Sequence, residues 1–566
     1  MSKVWSIAPR VSQDIVAHLL QSRGVQETEV FLHPDWERDT HAPAVFTAME
    51  QAVERVLFAL KNGEAIVIHG DYDADGVSGS TLLYTALRDI AERLKYPFAV
   101  NVFLPDREQD GYGVAIHTVD RLGAEGVKVL ITVDCGIANG LELARAKELG
   151  MDTVVCDHHQ MGEHYPSDAI VLHPLAPGES YPNKVLCGTG VAFKFASALF
   201  MKARTLGANF PEGVEKWSLD LVAVATVTDV MPLLGENRAL EYFGLKVLAK
   251  TRRPGLRAIM DISGTDPATV DTQGIGFRIG PRLNAAGRLA SATLAFNVLA
   301  ATDDTSARLA ALKLEKLNRE RQAVFQTSYA LAKIQAAELA KTSQVLVVYD
   351  KDWLPGIVGL IAGRLVNDFS LPAFAFTSVG DHVVGSGRSV GGLHLVQAMD
   401  ACDHNLYVKR GGHPQACGLT LKGEEEVGKF RHEINAYAAH FFGAAGVVDK
   451  LNIDGELALA EATLGLAKEV QACAPFGEGN RQPVFATLSA KVIDAVPMGA
   501  SGSHLRLQVR DKSGSQAKLI GFGFGDLGSS LKIGEELDVA YELGENIWNG
   551  RTEVQLRLVD VRRGEK

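Results

Sequence analysis

The stretch that decides the fold is AIVIHGDYDADG, residues 65–76. Its opening residues, AIVI, have the length and the β-branched content of a buried strand. Three acids at alternating positions come next: Asp71, Asp73 and Asp75. A helix-like segment follows over residues 81–94, and a strand, an acidic loop and a helix in this order place ligands at the carboxyl edge of a parallel sheet. Asp and Gly are also common in surface turns, but three acids beside His69 would repel one another without a cation, which favours a metal site.

The order of strand, loop and helix repeats along the next part of the chain. Strand-like apolar runs occupy residues 99–104, 128–133 and 153–156. A helical segment, residues 141–149, separates the last two of them. Because short loops join these alternating segments, the sequence predicts a doubly wound parallel sheet.

Acids or histidines recur where these apolar segments end. The residues concerned are Asp134, the Asp157-His158-His159 triplet and Asp229 near the end of residues 219–230. A single Asp after a strand is more typical of a helix N-cap, but parallel strands bring their carboxyl ends to one edge, so the recurrence favours a shared site. Carboxylates with imidazole suit two divalent ions of the manganese or magnesium type. Such a pair activates water and holds a phosphoryl group for in-line displacement.

Composition excludes several other classes of protein. A chain of 566 residues with 46% hydrophobic and 22% charged residues is typical of a globular protein with about three or four domains. The N-terminus, MSKVWSIAPR, lacks a signal-peptide core and no apolar run is long enough to cross a bilayer, so we expect no membrane association. Six cysteines without a CxxC pair indicate neither a disulfide framework nor a zinc ribbon and favour the cytoplasm. The net charge of −11 leaves any nucleic-acid contact to local basic grooves.

Three later segments could contact phosphate. In GPRLNAAGR, residues 280–288, two arginines and an Asn flank small residues, so the backbone can approach a phosphate chain while guanidinium groups reach its oxygens. GSGRS at 385–389 and GGHPQACG at 411–418 read as glycine-rich turns that expose N–H groups and cations. A salt-bridged helix start and two ordinary tight turns are the alternatives.

The remaining segments predict a connector and a barrel. Residues 304–339 form one long helix or two short ones, and a single helix would span about 50 Å. From residue 451, five strand-like runs at close spacing predict a small barrel of OB type. A groove for single-stranded nucleic acid could be formed there by Arg506, Arg510, Lys512, Lys518, Phe522 and Phe524. Phe at alternate positions is otherwise typical of a barrel core.

HGDYDADG, VDCG, CDHH and TVTDVMPL occur in this order, and the set resembles the DHH phosphoesterase superfamily. From Phe31 onward the chain is similar to one family within it, the bacterial exonucleases that act on single strands. The resemblance implies two catalytic ions, Mn²⁺ or Mg²⁺. The ligand positions that it implies are His69, Asp73, Asp75, the bridging Asp134, His158 and Asp229. Asp71 lies outside this ligand pattern and is expected to hold the loop.

The resemblance also implies residues that contact the substrate. His159 either supports a ligand or contacts the transition state, and His413 and Arg288 are expected near the reacting phosphate. The implied substrate-binding positions are Arg107, Arg282, Asn284, Ser386, Arg388, Gly411 and Gly412. Among them Ser386, Arg388 and Arg107 are the candidates for capturing a 5′ phosphate.

The predicted fold is α/β, with two α/β domains (DHH and DHH-associated) joined by a long helix around a cleft, plus a C-terminal OB-like β-barrel. The expected division is an N-terminal lead-in (1–45), the DHH catalytic domain (46–302), the connecting helix (303–341), the DHH-associated domain (342–445) and the barrel (446–566).

The predicted function is 5′-to-3′ hydrolysis of single-stranded DNA to mononucleotides in DNA repair and recombination. The expected partners are single-stranded DNA, a RecQ-type helicase and a single-strand-binding protein, and the chain is expected to be a monomer. A DHH phosphodiesterase or pyrophosphatase with a small substrate is one alternative, although the extra barrel favours a polymer. A catalytically dead DNA-binding scaffold is the other, although every ligand position is filled.

Overall fold

The computed structural model describes residues 3–107, 109–443, 446–499, 501–548 and 551–563. The chain forms two compact units. One comprises Asp35–Gly446 with Gly477–Gly479, and the other comprises Met1–Pro34, Val447–Phe476 and Asn480–Lys566. Among the described residues, no helix combines the length and the apolar character that crossing a membrane requires.

The N-terminal residues fold with the C-terminal unit. They form strand β1 (Val4–Ile7) and helices α1 (Ile15–Ser22) and α2 (Thr28–Leu32). Strand β1 pairs in parallel with a strand at Lys450–Ile453, far along the chain. The sequence analysis sets residues 1–45 apart as a lead-in, because local patterns do not reveal a partner strand at this distance. The domain boundaries stay predictions.

A five-stranded sheet, all parallel, forms the centre of the first α/β domain. Its strands, in the spatial order β3-β2-β4-β5-β6, are β2 (Ile66–Gly70), β3 (Val100–Phe103), β4 (Val129–Val133), β5 (Asp152–Cys156) and β6 (Ile170–Leu172). In β2, Ile66 and Ile68 pack into one hydrophobic core and Val67 packs into another. Since successive side chains of a strand point to opposite faces, both faces of the sheet are covered, and the predicted doubly wound sheet is confirmed.

Helices surround this sheet and continue beyond it. They are α3 (Trp36–Asp39), α4 (Met49–Asn62), α5 (Ala74–Leu94), α6 (Ile116–Ala124), α7 (Gly140–Glu148), α8 (Gly188–Thr205), α9 (Leu219–Thr228), α10 (Gly235–Leu248), α11 (Pro254–Ser263), α12 (Thr272–Gly274), α13 (Gly280–Leu289) and α14 (Thr293–Leu299). The apolar segment that ends near Asp229 is therefore helix α9, and Asp229 is the residue directly after it.

Helix α5 begins much earlier than the expected residue 81. Asp73 caps it by accepting hydrogen bonds from the N–H groups of Asp75 and Gly76, so Asp75 lies in the first helical turn rather than in a loop. Two glycines near its start conceal the helix in the sequence, because Gly disfavours helix interiors. Both permit close packing: a Cβ on Gly76 would lie 2.4 Å from the backbone N of Asp71, and one on Gly79 would lie 2.6 Å from Val133.

Residues Asp304–Leu339 form one continuous helix, α15, as one of the two readings of the sequence predicts. At 1.5 Å per residue it is about 54 Å long. Its N-terminal half contacts the first α/β domain, where Glu315 accepts a hydrogen bond from Arg282 at 2.7 Å. Its C-terminal half contacts the second α/β domain, where the Tyr329 hydroxyl donates to Asp368 at 2.7 Å.

The second α/β domain contains a mixed five-stranded sheet. Its strands, in the spatial order β10-β11-β9-β8-β7, are β7 (Leu346–Tyr349), β8 (Ala373–Val379), β9 (His382–Arg388), β10 (Tyr407–Gly412) and β11 (Ala416–Leu421). Its helices are α16 (Val358–Phe369), α17 (Leu395–Asp400) and α18 (Glu425–Phe442). The predicted glycine-rich turn is wrong for GSGR, which belongs to β9. In GGHPQACG, Gly411 and Gly412 belong to β10, and residues 413–415 form the turn into β11.

Packing explains why glycines alternate in β9. A Cβ on Gly385 would lie 2.3 Å from Cδ1 of Phe376, and a Cβ on Gly387 would lie 2.5 Å from Cε1 of Phe374. Both Phe side chains are fully buried. The intervening Ser386 and Arg388 therefore lie on the other face of the strand, away from these rings.

The C-terminal unit contains a closed barrel, which confirms the predicted five-stranded OB-type fold. Two short strands and a helix precede it: β12 (Lys450–Ile453), β13 (Gly455–Glu456) and α19 (Leu464–Gln471). The barrel consists of β14 (Val484–Met498), β15 (His504–Arg510), β16 (Gln516–Gly521), helix α20 (Gly525–Ser530), β17 (Glu536–Trp548) and β18 (Arg551–Arg563). Pairing of β14 with both β15 and β17 closes the barrel.

The predicted basic groove residues lie mostly on the outside of this barrel. Arg506, Arg510 and Lys518 are exposed on the neighbouring strands β15 and β16. Phe522 is 58% exposed, whereas Phe524 packs partly against the barrel core. One of the two aromatic rings is thus available to a ligand.

The alternating glycines of β9 give a stability prediction. We expect Gly387→Ala to destabilise the protein by about 1–3 kcal/mol, because overpacking forces a buried ring off its preferred position. Gly418→Ala in neighbouring β11 is the control, since no heavy atom lies within 4 Å of a Cβ built there. Calorimetric melting temperatures measure the effect, and equal melting temperatures for the two variants would contradict the packing argument.

Candidate active site

Acidic and imidazole side chains meet at the carboxyl edge of the parallel sheet. The ring Nε2 of His158, which follows β5, lies 3.1 Å from Oδ1 of Asp134, 3.3 Å from Oδ2 of Asp229 and 3.9 Å from Oδ2 of Asp75. These residues come from the ends of two strands, the start of α5 and the end of α9. Four of the six predicted metal ligands therefore surround one point.

A second group shares Asp134 with the first. Ligand atoms of Asp71, Asp73 and Asp134 lie within 4.8 Å of one another. Asp71, which the family pattern leaves out, is therefore placed with the predicted ligands. His69 belongs to none of the close groups among the described residues, but its Nε2 is buried and has no hydrogen-bond partner there.

The fold fixes the carboxylate of Asp75 before any ion binds. The two oxygens of Asp75 accept hydrogen bonds from the N–H groups of Gly188 and Thr189, each at 2.7 Å, at the start of α8. The positive end of a helix favours such a carboxylate. Gly188 also permits close approach, because a Cβ there would lie 2.7 Å from Cβ of Asp134.

The backbone of Asp134 adopts the left-handed region, with φ of 63°. Asp tolerates this region better than most side chains, but the conformation still costs energy, and such residues are concentrated at functional sites. Its N–H donates to the carbonyl of Cys156 at 2.9 Å, and its carbonyl accepts from the Tyr112 hydroxyl. These bonds hold the residue that both ligand groups share.

Two residues outside the predicted ligand and substrate-binding positions orient His159. Oδ1 of Asp157 lies 2.9 Å from Nδ1 of the His159 ring. His173, which is fully buried, donates from Nε2 to the carbonyl oxygen of His159 at 2.9 Å and accepts from the N–H of Leu175. Asp157 belongs to the DHH triplet and could be recognised in the sequence. His173 could not, because it lies outside the motifs.

The cluster holds more negative charge than its protein partners neutralise. Burial, followed by repulsion from Asp75, raises the pKa of Asp134 and of Asp229 well above the usual range. Burial, followed by repulsion from Asp73, raises the pKa of Asp71 to about 8. Burial lowers the pKa of His158 to about 4, so its imidazole is neutral and able to bind a metal.

The residues present fit divalent metal ions. Among the described residues, the buried Oδ1 of Asp71, Oδ2 of Asp229 and Nε2 of His69 have no hydrogen-bond partner. Carboxylate oxygen with imidazole nitrogen is the donor set of manganese and magnesium centres. A cation would satisfy these atoms and remove the repulsion.

A cationic pocket is formed next to this cluster by α13, the start of α16 and strand β9. Nη1 of Arg288 donates to the carbonyl of Gly356 at 2.7 Å, which joins the two α/β domains. A Cβ on Gly359 would lie 3.3 Å from Nη2 of Arg388 and 3.4 Å from Oγ of Ser386, so the first turn of α16 faces these side chains. Backbone N–H groups, a hydroxyl and guanidinium groups are suited to a phosphate.

Arg107 lies close to the cationic pocket, and His413 lies close to the cluster of acidic and imidazole side chains. The Arg107 guanidinium lies 4.0 Å from the centre of the Tyr72 ring, and its Nε donates to the carbonyl of Gly287. The His413 ring, which follows β10, lies 6.2 Å from the His159 ring between centres. Both residues thus come close to the region where the sequence analysis expects them.

Other predicted substrate-binding residues have partners within the protein. Nε of Arg282 donates to Glu315 at 2.7 Å, and Oδ1 of Asn284 accepts from the N–H of Ala74 at 2.7 Å, at the start of α5. Gly411 and Gly412 are exposed at the end of β10, beside His413. The structure therefore gives Arg282 and Asn284 contacts that hold helices together.

Comparisons with known proteins agree with this architecture. Family models match three parts of the chain: the DHH family N-terminal domain at residues 65–226, the DHHA1 domain at 342–440 and the RecJ OB domain at 453–560.

Proteins named single-stranded-DNA-specific exonuclease RecJ are similar over most of the chain. The protein from Bacillus subtilis is 33% identical over 97% of this chain and 68% of its own length. The protein from Dickeya dadantii is 34% identical over 90% of this chain and 89% of its own. The crystal structure of RecJ from Thermus thermophilus in complex with Mn²⁺ matches with a TM-score of 0.81 and 28% identity, over 100% of this chain and 80% of that chain. Its Mg²⁺ complex matches with a TM-score of 0.76 and 27% identity, over 100% and 79%.

The raised carboxylate pKa values give a prediction for the metal-free protein. Between the ordinary Asp pKa near 4 and the folded value of about 8 for Asp71, the folded chain keeps a proton that the unfolded chain has released. The stability of the metal-free protein should therefore fall as the pH rises from 5 to 8. Mn²⁺ should raise the melting temperature, and more so at pH 8, because metal ligands must be deprotonated.

Calorimetry on chelator-treated protein, with and without excess Mn²⁺, measures both effects. Asp71→Asn is the matched variant, and its melting temperature should fall less with pH, which separates this carboxyl from the other titrating groups. The interpretation would be contradicted if the melting temperature of the wild type had the same pH dependence as that of Asp71→Asn and did not rise with Mn²⁺.

Proposed function

Since this chain belongs to the RecJ family of single-stranded-DNA-specific exonucleases, we propose that it hydrolyses single-stranded DNA from the 5′ end, one nucleotide at a time, in DNA repair and recombination. The observation that carries the proposal is the placement of an acidic cluster beside a cationic pocket. A strand whose terminal phosphate occupies the pocket would present a nearby phosphodiester to the cluster.

The proposed cofactors are two divalent ions, Mn²⁺ or Mg²⁺. Asp75, His158 and Asp229 would hold one, and Asp73 and His69 the other. Asp134, which lies 3.1 Å from His158 and also groups with Asp71 and Asp73, would contribute to both sites. Two such ions supply an activated water and neutralise charge on the phosphodiester during in-line displacement.

The protein's own side chains account for the direction of hydrolysis. Arg388, Ser386 and the first turn of α16 would bind a terminal 5′ phosphate, with Arg107 and Arg288 on the side nearer to Asp73. Guanidinium groups bind phosphate through paired hydrogen bonds, and an unpaired strand is flexible enough to follow them. The pocket therefore selects an end of the strand rather than an internal position.

His159 and His413 would act on the reacting phosphate. Burial lowers the pKa of His159, but the hydrogen bond to Asp157 together with attraction to Asp157, Asp229 and Asp71 outweighs burial and raises the pKa to about 9, so the ring is a cation. A cation held there by Asp157 would stabilise the charge that develops on phosphate oxygens.

The C-terminal barrel is the proposed binding surface for the rest of the strand. The exposed Arg506, Arg510 and Lys518 provide positive charge, and the exposed Phe522 provides a ring on which a base can stack. An additional binding surface of this kind suits a polymer better than a small phosphodiester substrate.

We also propose action in the cytoplasm as a monomer, together with a RecQ-type helicase and a single-strand-binding protein. An enzyme that accepts only unpaired ends needs another activity to separate a duplex. Blunt duplex DNA should therefore be degraded only when the helicase and ATP are added, and degradation without them would contradict this dependence.

Asp134→Ala should abolish hydrolysis while single-strand binding is largely retained, because the shared ligand is lost and the cationic residues are intact. Release of mononucleotide from 5′-labelled and 3′-labelled oligonucleotides, single and double stranded, measures hydrolysis, and fluorescence anisotropy measures binding. The exposed Asp168 provides the control variant Asp168→Ala. The wild type should release the 5′ label first, from single strands only, and release of the 3′ label first would contradict the proposal.

Arg388→Ala should weaken binding of a 5′-phosphorylated strand about 10- to 100-fold and that of a 5′-hydroxyl strand much less, as expected for losing a hydrogen bond to a charged group. Arg364→Ala in the same domain is the control, because Arg364 forms an ion pair with Asp368 at 3.1 Å. Competition between the two strands measures the preference. An Arg388 variant that treats both ends as the wild type does would show that the pocket is wrongly assigned.

A further inference from the structure

Arg321 lies on the connecting helix α15 and has few partners of its own. It is half-buried, and its Nη2 donates to Oδ1 of Asn318 at 3.0 Å. Its Nε is buried and has no hydrogen-bond partner in the described part of the chain. A buried donor without a partner costs free energy, so a ligand that accepts a hydrogen bond from this guanidinium group would be stabilising.

The packing of α13 against α15 places Arg321 near the cationic pocket. Arg282 on α13 contacts Glu315 on α15 at 2.7 Å. Arg288 lies six residues after Arg282, and Arg321 lies six residues after Glu315, so each is about 9 Å further along its helix. Burial and then repulsion from Arg107, Arg321 and Arg388 lower the pKa of Arg288 to about 9, and burial and then repulsion from Arg282 lower the pKa of Arg321, in agreement with this packing.

These cations have no acidic partner in the part of the chain that the structure describes. Over the described ranges, no ion pair with a carboxylate is formed by Arg107, Arg288, Arg321 or Arg388. Glu315, by contrast, forms ion pairs with Arg282 and Arg319 at 2.7 Å each. Several guanidinium groups gathered without counter-charge repel one another and cost desolvation energy. An anion with several oxygens would satisfy all of them together.

We propose that Arg321 is a further substrate-binding residue, which contacts a phosphate of the single strand beside Arg288. The proposal rests on the proposed function and deepens it, because it extends the phosphate-binding surface from the pocket on to the connecting helix. The helix thus binds substrate as well as joining two domains. The phosphate is either the terminal 5′ group or one within the strand.

The test compares Arg321→Gln with Arg321→Lys and with the control Arg319→Gln, all in the Asp134→Ala background so that the oligonucleotide is not degraded. Fluorescence anisotropy gives the Kd for 5′-phosphorylated and 5′-hydroxyl oligo-dT over a range of salt concentrations. Arg321→Gln should weaken binding about 10- to 100-fold and lower the slope of log Kd against log salt by about 0.7, the value for one phosphate contact on a single strand. Arg321→Lys should keep most of the slope, and Arg319→Gln should change neither quantity.

Comparison of the 5′-phosphorylated and 5′-hydroxyl oligonucleotides identifies the phosphate that Arg321 contacts. A larger loss with the phosphorylated strand indicates the terminal group, and an equal loss indicates an internal phosphate. Two results would overturn the proposal: an unchanged slope for Arg321→Gln, or equal losses in the Gln and Lys variants together with a lower melting temperature, which would show a structural role. Failure of the proposed function is distinguishable, because then the Asp134→Ala parent would itself show no preference for single strands over duplex.

Discussion

Repulsion between buried carboxylates at one edge of a parallel sheet is the constraint on which the catalytic unit depends. Two backbone N–H groups at the start of helix α8 offset this repulsion by donating hydrogen bonds to Asp75. Asp73 accepts hydrogen bonds from N–H groups at the start of α5, the helix that it caps. Gly188 and Gly76 bring these helix starts close enough to do so. Asp73 and Asp75 are thus fixed by amide groups of the backbone, while among the described residues Oδ1 of Asp71 and Oδ2 of Asp229 have no hydrogen-bond partner and can bind cations.

The opposite excess of charge is found across the boundary between the two α/β domains. Arg288 from the first domain and Arg388 from the second repel each other, neither forms an ion pair with a carboxylate among the described residues, and α15 adds Arg321. Acids on one side and guanidinium groups on the other suit a ligand that carries several negative charges and also attracts metal ions. A polynucleotide end meets both demands, because its phosphates can neutralise the guanidinium groups while the metal ions that it attracts neutralise the acids.

Local sequence patterns predicted the features that depend on local physics. The parallel strands and the helix at Asp304–Leu339 followed from apolar runs and from helix formers without Gly or Pro. The early start of α5 was missed because its glycines serve contacts with Asp71 and Val133, and the strand character of Gly385 and Gly387 was missed because two distant Phe rings require it. Asp134, His158 and Asp229 were predicted from motifs, whereas His173 and the proposed role of Arg321 are apparent only from their contacts in the folded chain.

The parallel pairing of β1 with β12 has a consequence for synthesis of the protein. Val4 pairs with Lys450, so the first strand emerges from the ribosome long before its partner exists. At about 5–20 residues per second, this interval is roughly 20 to 90 s. The catalytic unit, whose residues are nearly all contiguous in the chain, can fold during that time, while the N-terminal strand stays unpaired and accessible to chaperones.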